Sequence, residues 1–312
     1  MNILVTGGCG YVGSVLIPKL LSTNNNVICI DTQWFGNYLK KHRNLKNLKL
    51  NIQDIEKIKL NNIEAVIHLA SIANDPMSEL DKNLSWETSS LGTLKLLELC
   101  KKYEVKRFIY ASSGSVYGIS KEKQVKENSK LNPISLYNKV KMITERTILS
   151  YSNFFEIFII RPATICGFSP RMRLDLTVNA LTFSALQNKK IIVHGGNQVR
   201  PNVHIDDICD VYIKFLKINK RHQGIYNVGF ENKSIIDIAK LVQSKIKSEI
   251  IIDKNNHDPR NYRLNSDKIL DIGFIPKKNI KDAIMELKLL YEKNKIKNKS
   301  SYHSLSWLKK II

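Results

Sequence analysis

Thr6-Gly7-Gly8-Cys9-Gly10-Tyr11-Val12-Gly13-Ser14 (TGGCGYVGS) decides the fold. It follows the short apolar run Met1 to Thr6 (MNILVT) and opens an apolar periodic segment at Val12, Val15, Leu16, Leu20 and Leu21. A second apolar run, Val27 to Ile30, ends at Asp31. Strand, glycine turn, helix, strand, acid is the order of a mononucleotide-binding βαβ unit. Gly7 permits the tight turn, Gly10 lets backbone approach a pyrophosphate, and Gly13 lets the helix pack close to the strand. The free N–H groups at the helix start, with Tyr11 and Val12 beside them, then face the phosphates. Asp31 stands about twenty residues on, where a carboxylate accepts hydrogen bonds from both ribose hydroxyls of NAD. A 2′-phosphate would meet its negative charge, so NAD is favoured over NADP.

Working outward, strands and helices alternate. Thr32 to Asn44 is polar and aromatic and runs over the cofactor's adenosine side. Leu45 to Ile52 reads as a strand. Asp54, with Ile55, follows it, either as an adenine contact or as a plain helix cap. Glu64 to Leu69 is a fourth strand ending in Ala70-Ser71, and Leu69, Ala70 and Ser71 give the dinucleotide a small-residue wall. His68, inside that apolar run, reads as a core residue. A long helix is expected over 85–103, a fifth strand over 106–112, a helix between Pro133 and Ser150, and a sixth strand over 155–160. This alternation predicts an α/β fold, a Rossmann-type doubly wound parallel sheet. A smaller, mixed α/β C-terminal region accompanies it. Past Gly167 the segments lose their regular order, apart from a helix starting at Asp206, with Asp206 or Asp207 as cap, and a strand over 224–228. The expected organisation is an NAD-binding domain over 1–167, with 200–229 returning to it. A substrate-binding region comprises 168–199 and 230–295, and a peripheral basic tail covers 296–312.

Tyr137 and Lys141 are four apart on one helical face. An ammonium near a phenol favours the phenolate, so Tyr137 can act as a general base. Ser112 to Gly118 (SSGSVYG) follows the fifth strand, at the end where such sheets place ligands. A hydroxyl there, Ser113 or Ser115, can hydrogen-bond a substrate hydroxyl.

With these pieces the chain resembles the extended short-chain dehydrogenase/reductases of the NAD-dependent epimerase/dehydratase family, which act on nucleotide-diphosphate sugars. The matching segments are TGGCGYVGS, Asp31, Asp54, HLAS, SSGSVYG, YNKVK, RPATICG and VRPNVHIDD. The resemblance implies that Tyr137 is the base, that Lys141 holds the nicotinamide ribose, and that Ser113 assists. It also implies that the C-terminal part binds the nucleotide-sugar. Arg200 and Arg260 are its diphosphate candidates, Arg171 and Arg173 further cations, and Ser115, Thr164 and Asn179 sugar-side contacts. Three departures are informative. The family's Asn before Val-x-Gly-Thr is Ser89. The acid pair of the 4,6-dehydratases is replaced by Gly114 and Ser115, which argues against water elimination. The Asn that packs near the sugar in 4-epimerases is Thr164.

The implied function is nucleotide-sugar epimerisation, by oxidation at C4 and hydride return, in carbohydrate and surface-polysaccharide biosynthesis. A 4-dehydrogenase or 4-keto reductase needs the same three residues. A non-catalytic NAD or nucleotide-sugar-binding protein is the reading of another class. A homodimer is expected. The 312 residues carry 43% hydrophobic residues and no run near the length of a membrane span. Neither a membrane partner nor a signal peptide is expected. The five scattered cysteines read as reduced cytoplasmic thiols rather than a disulfide frame or a metal site. The net charge of +21 accompanies lysine spread through the whole chain, with no nucleic-acid-binding motif.

Overall fold

The computed structural model describes residues 1–253 and 261–312. Its strands, in chain order, are β1 (Asn2–Thr6), β2 (Asn26–Asp31), β3 (Leu45–Lys49), β4 (Ala65–His68), β5 (Arg107–Ala111) and β6 (Glu156–Pro162). They continue as β7 (Thr164–Cys166), β8 (Lys190–His194), β9 (Val199–His204), β10 (Gly224–Val228), β11 (Glu231–Ser234) and β12 (Glu249–Asp253). Seven of them form one sheet in the order β10-β6-β5-β4-β1-β2-β3, paired in parallel throughout. The chain leaves β1 toward β2 and β3, then returns to place β4 on the other side of β1. That reversal opens a crevice at the carboxyl ends of β1 and β4.

The apolar runs of these strands lack alternation because both sheet faces are covered. In β1, Ile3 and Val5 pack with Leu16, Ile17 and Leu20 on one face, while Leu4 packs with Leu96, Leu97 and Cys100 on the other. In β6, Phe158 and Ile160 share the first face and Ile157 and Ile159 the second. His68 ends β4 fully buried, its Nδ1 2.6 Å from Thr6 Oγ1 and its Nε2 2.8 Å from Thr93 Oγ1. Burial, with the Lys141 charge nearby, pushes its pKa down to about 3, so it is a neutral core group. All five cysteines are free and buried.

Several boundaries differ from the sequence expectation. The helix expected over 85–103 is broken into Lys82–Trp86, a π-helical turn Glu87–Leu91, and Gly92–Lys102. The break falls at Ser89, whose carbonyl accepts from Thr93 Oγ1 (2.8 Å) and Thr144 Oγ1 (3.1 Å). Hydroxyls competing for a helical carbonyl favour such a bulge. The helix after Pro133 begins only at Leu136, where Ser135 caps it by accepting from Asn138 N at 3.2 Å. The helix Ile205–Lys217 is capped by His204, not by Asp206 or Asp207. Asp207 is occupied instead with the backbone N–H groups of Lys277 and Lys278, each at 3.0 Å.

Of the segment 200–229, β10 joins the main sheet beside β6, and Ile208, Val211 and Phe215 pack into its core. β9 instead pairs with β7 and β11 in a three-stranded sheet. A second core gathers Val178, Leu181, Ile191, Val193, Ile238, Ala239, Ala283 and Ile284 from β8 and three helices, Thr177–Asn188, Ile235–Gln243 and Ile280–Glu292.

The tail is not peripheral. Residues Ser300–Tyr302 form a 3-10 turn and Ser304–Leu308 a short helix. Tyr302, Ser304 and Leu308 are buried, and Leu308 packs with Ile72, Met77, Trp34 and Phe35. Trp307 Nε1 donates to the Trp34 carbonyl at 2.7 Å. Scattered apolar residues in a lysine-rich stretch hid this packing, because their partners lie more than one hundred residues away in the chain.

Candidate active site

A cleft of about 650 Å³ runs along the carboxyl ends of β1, β2, β4, β5 and β6. At one end lies the glycine turn. Gly7 sits at φ +70°, and a Cβ there would stand 2.6 Å from Ala70 N. A Cβ on Gly13 would stand 2.4 Å from the Gly8 carbonyl. At Gly10 a Cβ would meet only the Gly7 carbonyl, at 3.1 Å, so bare backbone faces open space there. Tyr11, Val12 and Gly13 continue the cradle. Asp31 ends β2 on the same wall, accepting from Cys9 N (3.0 Å) and Gln33 N (2.6 Å). Burial raises its pKa against those two bonds. Leu69, Ala70 and Ser71 form the facing wall. Ser89 serves that wall: its Oγ accepts from Ile72 N at 3.1 Å and lies 3.0 Å from Ser71 Oγ. A cradle that any side chain would fill, with a carboxylate at the next strand end, fits a dinucleotide.

Two residues of the expected cofactor set lie elsewhere. Asp54 is half exposed inside the 3-10 helix Ile52–Lys57, paired with Lys57 at 2.8 Å, and is neither its cap nor a cleft residue. Ile55 is fully buried in the core. The reason is register: β3 stops at Lys49, so Leu50, Asn51 and Ile52 come to the cleft, and Asn51 is the cap.

At the other end stand Tyr137, Lys141, Ser113 and Ser115, all on the cleft wall. Lys141 is 3% exposed, and its Nζ donates to the Ala111 carbonyl at 2.7 Å. It lies 5.9 Å from the Tyr137 ring centroid. Burial lowers its pKa to about 7, opposed by Glu145. Ser113 caps the 3-10 turn Gly114–Tyr117, with its Oγ 2.7 Å from Ser115 Oγ and accepting from Ser115 N at 3.2 Å. Beneath them runs a buried polar network. Glu145 accepts from Ser112 and is paired with Arg161 at 2.6 Å, both side chains 3% exposed. Arg161 reaches Tyr117 Oη at 2.8 Å, which donates to Asn227 at 2.7 Å. Burial opposes the Arg161 charge, but Glu145 more than restores it.

On the remaining wall are Thr164, Arg171, Arg173 and Arg200. Arg173 is held by Asp175 at 2.6 Å, which outweighs the cost of its burial and leaves its pKa raised. Arg200, on β9, is buried and donates to the Val199 carbonyl at 2.9 Å. Asn179 is a correction. It is fully buried and does not line the cleft: it accepts from Gly167 N and donates to Tyr11 Oη and to the Arg173 carbonyl, each at 3.0 Å. It therefore locks the glycine turn to the Arg173 loop. Arg260 lies outside the described residues. Sequence reading missed Asn51, Trp34, Phe35, Asp175, Tyr262 and Leu305, all of which line the cleft. Two adjacent aromatics in a polar loop were the available signal for Trp34 and Phe35. Nothing local marked the others.

A doubly wound sheet with this turn and this strand-end cleft defines a Rossmann-type dinucleotide enzyme. The model of the NAD dependent epimerase/dehydratase family matches residues 3–229. A putative UDP-glucose 4-epimerase of Methanocaldococcus jannaschii is 31% identical over 300 residues, 90% of this chain and 95% of the relative. The structure is similar to a UDP-glucose 4-epimerase of Thermotoga maritima solved with UDP-glucose (TM-score 0.85, 26% identity, 95% of this chain and 100% of that one). It is also similar to a UDP-glucuronic acid 4-epimerase of Bacillus cereus solved with UDP-glucuronic acid and NAD (TM-score 0.82, 28% identity, 93% and 100%). The chain belongs to the NAD-dependent epimerase/dehydratase family and is an NAD-dependent enzyme. Among the described residues no helix is long and apolar enough to cross a membrane.

Proposed function

We propose that this enzyme epimerises a nucleotide-diphosphate sugar at C4. The carrying observation is the placement of Tyr137, Lys141 and Ser113 together at the strand ends opposite the glycine cradle. The residues holding the cofactor are Gly7, Gly10 to Gly13, Asp31, Asn51, Ile52 and Leu69 to Ser71, with Lys141 at the nicotinamide ribose. When bound, NAD supplies a hydride acceptor and donor. Tyr137 takes the proton of the sugar C4 hydroxyl, and Lys141, charged below a pH of about 7, favours the phenolate it needs. Ser113 hydrogen-bonds the same oxygen as it becomes a carbonyl. Tyr137 then returns the proton when the transient 4-ketone is reduced on its other face.

Water elimination would need an acid and a base beside Ser113, and Gly114 and Ser115 stand there. The carboxylates on the cleft wall are elsewhere: Asp31 at the ribose, Asp75 bonded to Ser135, Asp175 on Arg173. Arg200 and Arg173 hold the sugar-nucleotide's phosphates, with Thr164 and Ser115 at the sugar. The region built from 168–199 and 230–295, which supplies Arg173, carries that ligand together with Arg200, Thr164 and Ser115. The epimerase relatives, whose solved complexes hold UDP-sugars, support this substrate class. The working form is a cytoplasmic homodimer, built on the exposed apolar residues Leu91, Leu94, Ile143 and Leu149 of the adjoining helices. Light scattering on the purified chain tests it, and a monomer refutes it. The function is tested by incubation with UDP-, GDP-, CDP- and dTDP-sugars. The expected result is NMR inversion at C4 without NADH build-up. A released ketone with a steady NADH rise refutes epimerisation.

A further inference from the structure

One buried cation of the cleft is used neither by the proton chemistry nor by an ion pair. Arg171 is 4% exposed. Its guanidinium lies over the Phe35 ring, with Cζ 4.0 Å from the centroid. Nη2 donates to Ser304 Oγ at 3.1 Å, Nη1 donates to the Met172 carbonyl at 3.3 Å, and Nε is buried with no partner. Its neighbour Arg173 has Asp175, whereas no described carboxylate lies within salt-bridge distance of Arg171. Burial and the neighbouring Arg173 push its pKa down to about 10 against the longer-range attraction of Asp175 and Asp31. A desolvated guanidinium with no carboxylate in direct contact is costly, and such a group is retained when a ligand brings the charge.

The position of Arg171 selects the ligand. Its loop is pinned to the glycine turn: Tyr11 Oη donates to the Gly167 carbonyl at 2.6 Å, and Ser169 Oγ donates to the Tyr11 carbonyl at 2.7 Å. Phe35, on which it lies, follows Asp31 by four residues and lines the same cleft. Ser304 belongs to the C-terminal helix, whose Leu305 reaches the cleft and whose Trp307 is bonded to the loop of Phe35. Arg200 stands apart on β9, in the three-stranded sheet. We infer that Arg171 is a diphosphate-binding cation for the dinucleotide rather than for the sugar-nucleotide, and that the C-terminal helix and the Trp34-Phe35 loop hold it in place over the glycine cradle. A guanidinium there adds charge-assisted bonds to a phosphate that backbone N–H groups already face.

Calorimetric titration of the full-length chain with NAD, ADP, adenosine and UDP, for wild type and Arg171→Met, separates the possibilities. NAD and ADP are expected to bind about 10- to 100-fold more weakly to the variant, while adenosine and UDP change less than about two-fold. The unliganded variant is expected to melt no lower than wild type, because an unpaired buried charge has been replaced by an apolar chain of similar length. Weaker UDP binding with ADP unchanged would assign Arg171 to the sugar-nucleotide and overturn the inference. Unchanged binding of all four ligands, or a lower melting temperature with equal loss of ADP and adenosine, would make it a packing residue and overturn it as well. As a second variant, Phe35→Leu keeps the charge but removes its platform, and a smaller loss of ADP than in Arg171→Met is expected; no loss of ADP would contradict the seating of the guanidinium on that ring.

Discussion

Two of the buried cations in the cleft, Lys141 and Arg171, are held in opposite ways. Lys141 is anchored to the Ala111 carbonyl and faces Glu145, on a helix that also carries Tyr137. Arg171 rests on an aromatic ring and a serine hydroxyl, brought together from three distant parts of the chain. The first is a local device: four residues of spacing on one helix place tyrosine and lysine, and the fold delivers them. The second exists only after the C-terminal segment has folded back across the Trp34-Phe35 loop. The end where we place the proton chemistry is written in local sequence, and the end that grips the cofactor is written partly in tertiary packing.

The largest expected effect is at the local end. Tyr137→Phe should lower kcat by about 10²- to 10⁴-fold with NAD still bound, measured by NMR turnover and by NAD content. Equal turnover would dissolve the distinction between the two ends. Next comes the floor beneath Lys141. Glu145→Ala strands the Arg161 charge at 3% exposure, and a loss of about 3–5 kcal/mol in denaturant unfolding is expected. A loss under about 1 kcal/mol would mean the network is dispensable. The pH dependence of stability is smaller and distinguishes the cations. The Lys141 pKa falls from 10.5 to about 7 on folding, so the unfolded chain binds the extra proton between those values. The cofactor-free protein should therefore gain stability as pH rises from 7 toward 10.5, and Lys141→Met should flatten that slope in thermal melts. At the distal end, Trp307→Ala removes the bond to the Trp34 carbonyl, and NAD dissociation should quicken by about two- to ten-fold in a stopped-flow exchange with excess ADP. An unchanged rate would detach the C-terminal helix from cofactor retention.

The same contrast explains what could be read in advance. The glycine turn, Asp31 and the Tyr137–Lys141 pair were legible because each rests on short spacing and a strand end. The parallel sheet was legible from unalternating apolar runs such as Ile3-Leu4-Val5. Asp54 was misplaced because a strand ended three residues earlier than its apolar pattern suggested, which moved Asn51 and Ile52 to the cleft. Asn179 looked like a ligand contact, yet its three hydrogen bonds are all spent inside the protein. The tail looked peripheral because Tyr302, Ser304 and Leu308 find their partners only across the folded molecule, Ser304 at Arg171 and Asp175. The helix interrupted at Ser89 shows the same limit, since Thr144, which takes its carbonyl, comes from another helix.

The most direct test of the central claim, oxidation and re-reduction of one sugar carbon by a retained cofactor, uses a nucleotide-sugar deuterated at C4. The enzyme is incubated with it as purified, and the product is followed by NMR and mass spectrometry. The C4 epimer should form with its deuterium retained and without accumulation of NADH. Epimer lacking the deuterium, or a free 4-ketone accompanied by reduced cofactor, would contradict it.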